Sequence, residues 1–134
     1  MDRDQLRAAL QLTLREIDAD ERLGPLIAAT GLRMRFEFTD LGMALNVAAG
    51  GTQGNLAWSF DDDPGWAPKL TLGMTSDVAN RYLQGRESLA IGIARGQVRC
   101  RGDSRTALLY LPAARLFCEP YRRVVEAGYP ALAA

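Results

Sequence analysis

The chain has 134 residues, the length of one domain with a single hydrophobic core. Its 16 basic and 16 acidic residues cancel, which argues against an overall field that would gather nucleic acid or an anionic membrane. The chain has no histidine, which excludes Ser-His-Asp and Cys-His catalysis and removes the commonest zinc ligand.

The chain shows no targeting or membrane-spanning pattern. Its start lacks a basic segment followed by an apolar run, and no later stretch reaches the roughly 18 apolar residues of a membrane helix. These features predict a cytoplasmic protein. Cys100 and Cys118 lie among apolar residues without a metal-binding spacing, so we expect buried, reduced thiols.

The N-terminal segment, about residues 3–30, is predicted to be helical. An amphipathic helix near residues 3–18 is indicated by apolar residues at helical spacing, namely Leu6, Leu10, Thr13, Leu14 and Ile17. Gly24-Pro25 then interrupts the chain, and a short helix is predicted from Leu26 to Thr30, with Gly31 at its end.

Four strands follow, because the apolar residues now repeat every second position. The alternating runs are Arg33 to Thr39, Met43 to Val47, Leu56 to Phe60 and Leu70 to Met74. Turn residues separate them: Asp40-Leu41-Gly42, the GGTQG segment from Gly50 to Gly54, and the DDDPG segment from Asp61 to Gly65. The sheet and its helices are expected to occupy about residues 32–127.

Helices and one more strand complete the prediction. Thr75, Ser76 or Asp77 caps a helix that ends at Gly85, and a second short helix is expected over residues 87–94. Val98 and Cys100 alternate with arginines in a fifth strand. Asp103 or Ser104 caps the last helical region, which Pro112 is expected to divide into residues 104–111 and 113–127.

The order of these elements resembles the sterol carrier protein 2 family over about residues 20–120. The resemblance rests on LTL at Leu70 to Leu72, a Ser76-Asp77 helix start, and the spacing from Gly85 through Gly96 and Gly102 to Asp103. Arg35 to Asp40 and Trp58 stand where the family has its first strand and a tryptophan on the third. The 15 arginines beside the lone Lys69 are typical of a GC-rich bacterial genome, and the chain is similar to free-standing bacterial members.

The resemblance implies an α+β fold, in which a five-stranded, mostly antiparallel sheet carries helices on one face and encloses a hydrophobic cavity. It also implies a sterol, hopanoid, other isoprenoid, fatty acid or fatty acyl-CoA ligand, with no metal or cofactor. The candidate ligand-binding residues are the inward-facing apolar ones: Phe36, Phe38, Leu45, Val47, Leu56, Trp58, Leu70, Leu72, Met74, Val78, Tyr82, Leu83, Leu89, Ile93 and Phe117. Leu108 and Leu116 are expected to face the sheet beside them.

Each of these residues is also what an ordinary half-buried sheet would place in its core. The outward residues Arg33, Arg35, Lys69, Arg99 and Arg101 form either a basic stripe for a phosphate or headgroup, or a solvated face paired with Glu37. Because the aromatic residues alternate inward, no nucleic-acid partner is expected.

The sequence therefore favours a non-catalytic binder or carrier of a hydrophobic small molecule. An accessory or cyclising enzyme of lipid, polyketide or terpenoid metabolism is the alternative, although the sequence contains no catalytic constellation. A protein-interaction module is the third hypothesis. Transient contact with a membrane or a partner enzyme, and either a monomer or a homodimer, are compatible with the sequence.

Overall fold

A computed structural model describes residues 1–51 and 54–134. The strands are β1 (Arg33–Phe38), β2 (Met43–Ala49), β3 (Leu56–Phe60), β4 (Leu70–Met74) and β5 (Arg99–Arg101). The helices are α1 (Arg3–Ala19), α2 (Leu23–Ala28), α3 (Ser76–Leu83), α4 (Leu89–Ala94), α5 (Ser104–Ala114), α6 (Cys118–Gly128) and α7 (Pro130–Ala133), and a 3₁₀ turn, Arg115–Phe117, joins α5 to α6. Thr52 and Gln53 of the predicted GGTQG hairpin lie outside the described residues.

The strands form one mixed sheet in the order β3-β2-β1-β4-β5. β1 pairs antiparallel with β2, β2 with β3, and β4 with β5, whereas β1 and β4 are parallel. The sheet is thus mostly antiparallel, as predicted. The parallel pair arises because the chain from β3 to β4, residues 61–69, crosses the sheet instead of turning back beside β3.

This crossing segment covers part of the outer, polar face of the sheet. The Asn46 side chain, which is fully buried there, donates to the Asp62 carbonyl oxygen at 3.1 Å and accepts from Arg35 at 3.0 Å. The Arg33 guanidinium lies 5.6 Å from the ring centre of Trp66. Every residue of β2 is therefore buried, on both faces of the sheet.

Part of the predicted basic stripe is paired on this face. Both Arg35 and Arg101 form ion pairs with Glu37, and Arg33 donates to the Ala49 carbonyl oxygen at 3.2 Å. The alternative of a solvated face paired with Glu37 is therefore confirmed for Arg35 and Arg101.

The opposite face of the sheet carries the apolar residues and packs against the helices. Buried side chains of β1, β2, β3 and β4 meet those of α1, α3, α5 and α6 in one core. Full burial of a leucine or phenylalanine contributes about 1.5–3 kcal/mol, so this interface is the main source of stability. Glycine is required where β5 leaves the sheet: at Gly102, φ is +141° and a Cβ would lie 2.6 Å from the Lys69 carbonyl oxygen.

Three sequence predictions need correction. The second helix begins at Leu23, three residues early, because the Asp20 carboxylate accepts the N–H groups of Arg22 and Leu23 at 2.8 Å. Pro112 lies within α5 and does not divide it; the helix tightens into the 3₁₀ turn three residues later. Leu108 is 77% exposed and does not face the sheet, since α5 turns Tyr110, Ala113 and Ala114 inward instead.

The start of α3 is fastened to the turn between β1 and β2 by Asp40. Its carboxylate accepts the backbone N–H of Ser76 at 2.7 Å and the Ser76 hydroxyl at 2.6 Å. Burial alone would raise the pKa of Asp40, but these hydrogen bonds lower it below its ordinary value of 3.8. The charged form of Asp40 therefore stabilises the junction between the sheet and the helices.

We expect Asp40→Ala to lower the free energy of unfolding by about 2–3 kcal/mol at pH 7, because Ser76 is fully buried and loses its acceptor. The folded-state pKa of Asp40 is depressed, so its stabilisation is complete above about pH 3.8 and disappears as the pH falls through the lower value. Urea unfolding between pH 7 and 3 should show the two proteins converging at low pH. Asp77→Ala, at an exposed neighbour, should cost less than about 1 kcal/mol; a pH-independent gap for Asp40→Ala would contradict this account.

Candidate ligand cavity between sheet and helices

An apolar cavity lies between the inner face of the sheet and the helices. Its volume is about 30 Å³, which is room for about one water molecule. The lining side chains are Leu10, Thr13, Leu14, Phe36, Phe38, Leu45, Val47, Met74, Ala79, Tyr82, Leu83 and Phe117. A drug-sized ligand needs roughly 300–1,000 Å³, so such a ligand would have to separate the two layers.

Eight of the residues proposed from the sequence line this cavity: Phe36, Phe38, Leu45, Val47, Met74, Tyr82, Leu83 and Phe117. The sheet residues among them come together because of register. Phe36 lies between Leu45 on β2 and Leu72 on β4, and all three point to the inner face. Alternation along the strands was therefore a sound guide to the floor of the cavity.

The other seven proposed residues do not line the cavity: Leu56, Trp58, Leu70, Leu72, Val78, Leu89 and Ile93. Leu70 and Leu72 are fully buried in the sheet core. The half-buried Trp58 points towards α1, where its indole N–H donates to the Gln11 side chain at 2.9 Å. Leu89 lies in a separate outer groove, and Ile93 is only half-buried.

The sequence analysis missed the contribution of α1. Leu10, Thr13 and Leu14 form part of the cavity roof, together with Ala79 on α3. The apolar stripe of α1 was recognised, but its spacing does not say which part of the core it meets. The signal in the sequence was a threonine, Thr13, within the apolar stripe of α1. In the structure its hydroxyl donates to the Ala9 carbonyl oxygen at 2.7 Å, so only its methyl group is left to face the cavity.

Hydrogen bonds between the helices and the sheet lie at the rim of the cavity. At the end of α1, the Asp18 carboxylate accepts the N–H groups of Asn55 and Leu56, both at 2.9 Å. Asp40 holds the start of α3 in the same way. Within the described residues, no side chain that lines the cavity forms a hydrogen bond to the opposite layer. The centre of the interface is therefore held by apolar contact alone.

Tyr82 contributes the one unusual group of the lining. The residue is only 4% exposed, and its hydroxyl makes no hydrogen bond within residues 1–51 and 54–134. Burial, together with the nearby Cys118 thiol, raises the pKa of Tyr82, so the hydroxyl stays protonated. Leaving such a group unpaired costs about 1–3 kcal/mol.

Both cysteines are free, as predicted, although they are half-buried. Burial raises the pKa of each thiol. The Cys118 thiol donates to the Tyr82 carbonyl oxygen at 3.4 Å, which links α6 to α3. Neither thiol has the depressed pKa of a reactive nucleophile.

An outer groove of about 530 Å³ lies on the other side of Tyr82. It is formed by residues 85–90, the end of α5 and the start of α6. Its lining is Tyr82, Gly85, Arg86, Glu87, Ser88, Leu89, Ala90, Leu111, Pro112, Arg115, Cys118, Glu119 and Arg122. Tyr82 lines both the groove and the apolar cavity.

The described ranges contain neither a metal-binding cluster nor a membrane-spanning helix. Residues 1–51 and 54–134 contain no group of three or more Cys, Asp or Glu side chains placed to hold a metal ion. None of the helices described in these ranges is long and apolar enough to cross a membrane.

Solved structures of other proteins share this fold at low sequence identity. A ubiquinone synthesis protein described as UbiJ-SCP2 is 16% identical, with a TM-score of 0.55 over 85% of this chain and 95% of that chain. Apo sterol carrier protein 2 from Yarrowia lipolytica is 10% identical, with a TM-score of 0.60 over 83% of this chain and 88% of that one.

A stereoselective inverting sec-alkylsulfatase from a Pseudomonas species also matches, at 16% identity and a TM-score of 0.59. The match covers 79% of this chain but only 16% of the sulfatase chain, so this chain is similar to a small part of that enzyme. A scan against models of known families and a search of curated proteins gave no match. The structural matches establish a sterol carrier protein 2-like fold, which confirms the predicted fold class.

We expect Tyr82→Phe to raise the free energy of unfolding by about 1 kcal/mol, because it removes a buried hydroxyl that has no hydrogen-bond partner in the part of the chain that the structure describes. Urea denaturation provides the measurement. Tyr121→Phe is the matched control: the Tyr121 hydroxyl donates to the Asn80 side chain at 2.7 Å, so its removal should destabilise by about 1–2 kcal/mol. Equal losses in the two variants would mean that the Tyr82 hydroxyl has a partner.

Proposed function

We propose that the protein binds or transfers a hydrophobic small molecule between its sheet and its helices, without catalysing a reaction on it. The observation that carries this proposal is the apolar cavity at the centre of the interface, roofed by α1 and α3 and lined almost wholly by aliphatic and aromatic side chains. The fold supports the proposal, because it is shared with a structure described as sterol carrier protein 2.

Because the cavity is small, the core must expand when a ligand binds. Apolar contacts are non-directional, so the two layers can move apart without leaving unpaired polar groups between them. The hydrogen bonds at the rim, from Asp18 and Asp40, can persist while the centre widens. The ligand then replaces the contacts that the two layers lose with each other.

The energetic scale is compatible with a carrier. A molecule that buries about 400 Å² of apolar surface gains about 10 kcal/mol, from which association removes at least about 4 kcal/mol. Expansion of the core reduces this surplus further. The result is affinity in the micromolar range or weaker, which allows the ligand to be released at a destination.

We expect saturable displacement of an environment-sensitive fatty-acid probe, measured by fluorescence, and a higher Tm in the presence of the ligand, because the ligand binds only the folded state. Val47→Thr should weaken binding about 3- to 10-fold, because it places a hydroxyl in the apolar lining at nearly constant shape.

Val125→Thr is the matched control, since Val125 is fully buried on α6 but does not line the cavity. It should lower stability by a similar amount and leave probe affinity unchanged. Equal weakening by the two variants would argue against this cavity as the binding site, and absence of saturable binding across a lipid panel would overturn the proposed function.

A further inference from the structure

The outer groove beside Tyr82 contains arginines that its own glutamates do not neutralise. It is lined by three arginines and two glutamates, but both carboxylates are already paired. Glu87 accepts from Arg81 at 2.9 Å, and Glu119 accepts from Arg123 at 3.3 Å. The glutamates therefore offer little neutralisation to other groups in the groove.

None of the three arginines in this groove forms an ion pair within residues 1–51 and 54–134, although one of them is held by hydrogen bonds. Arg86 donates to the carbonyl oxygens of Ala133 and Ala134 at 3.0 and 3.2 Å. Arg115 and Arg122 form no ion pair with any residue in 1–51 or 54–134, and both are exposed. Arg115 begins the 3₁₀ turn before α6 and Arg122 lies within α6, and both line the groove.

Tyr82 connects these charges to the apolar cavity. It lines both spaces, and its buried hydroxyl has no hydrogen-bond partner among the described residues. Tyr82 lies between an apolar cavity and a basic groove, and an oxygen acceptor that reached its hydroxyl would supply the missing hydrogen bond. Leu111 and Leu89 give the groove an apolar side that an alkyl chain can follow inward.

We infer that the groove binds the anionic head, a carboxylate or a phosphate, of a single-chain amphiphile whose tail passes Tyr82 into the cavity. Arg115 and Arg122 supply charge-assisted hydrogen bonds to the head, and the Tyr82 hydroxyl donates to one of its oxygens. This assignment rests on the proposed function, because the tail needs the cavity. It separates anionic amphiphiles from neutral ligands such as sterols, whose hydroxyl cannot engage two guanidinium groups as an anion does.

The test compares ligands that share a tail and differ in the head. Isothermal titration calorimetry would measure binding of dodecanoate, dodecyl phosphate and 1-dodecanol to the wild type and to three variants. The variants are the double substitution Arg115→Gln with Arg122→Gln, the single substitution Tyr82→Phe, and the control Arg105→Gln, at an exposed arginine on α5 outside the groove. Far-UV circular dichroism confirms that each is folded.

We expect the wild type to bind at least one of the anions about 10-fold more tightly than the alcohol, and the double substitution to abolish that preference without changing the affinity for the alcohol. Tyr82→Phe should weaken only the anions, by about 3- to 10-fold, although it stabilises the unliganded protein. Arg105→Gln should change neither. The relative affinity of the two anions identifies the preferred head.

The outcomes separate this inference from the proposed function. If all three ligands bind and the double substitution leaves the anion preference intact, or no preference exists, the head site is wrong while cavity binding stands. If the double substitution weakens the alcohol and the anions equally, its effect is structural and the head site is again wrong. If no ligand binds saturably, both proposals fail.

Discussion

The structure depends on an interface between sheet and helices that is apolar at its centre and, in residues 1–51 and 54–134, forms its hydrogen bonds outside the cavity lining. Asp18 and Asp40 tie the helices to the sheet at two separate points of the rim, through backbone N–H groups of the partner layer. Between these points, aliphatic and aromatic side chains meet without directional bonds. Such an interface excludes water, because exposing its apolar side chains is unfavourable. An apolar ligand can enter more easily, because it replaces the contacts that it displaces with contacts of the same kind.

Tyr82 departs from this rule, and its position explains why the departure can be tolerated. A buried hydroxyl without a partner is a loss for the empty protein. Tyr82 lines both the apolar cavity and the groove of Arg115 and Arg122, so under the proposed head-group site an incoming acceptor would recover the loss. Residues that lower stability while serving a ligand are common at functional sites. In the proposed head-group site, the same side chain would affect both the stability of the empty protein and the class of ligand that it binds.

Regular elements of the fold could be predicted wherever local chemistry acts alone. Met34, Phe36 and Phe38 alternate with polar residues, and β1 follows from that pattern. Asp103 caps α5 as expected, accepting the Thr106 N–H at 2.6 Å. Prediction failed where contacts between distant segments determine the structure. The helix α5 continues through Pro112 and exposes Leu108, because Tyr110 and Ala114 pack inward. No local pattern encodes which face of this helix is buried.

By itself, the sequence determined the order of the elements, the inner face of the sheet and the absence of histidine-based chemistry, because alternation, capping and composition are properties of neighbouring residues. Only the tertiary structure decided which apolar residues surround the cavity, how small it is, and that Arg115 and Arg122 line a groove together with Tyr82. These features join segments far apart in the chain. Their positions follow from how the helices pack across the sheet, and no spacing along the chain records that packing.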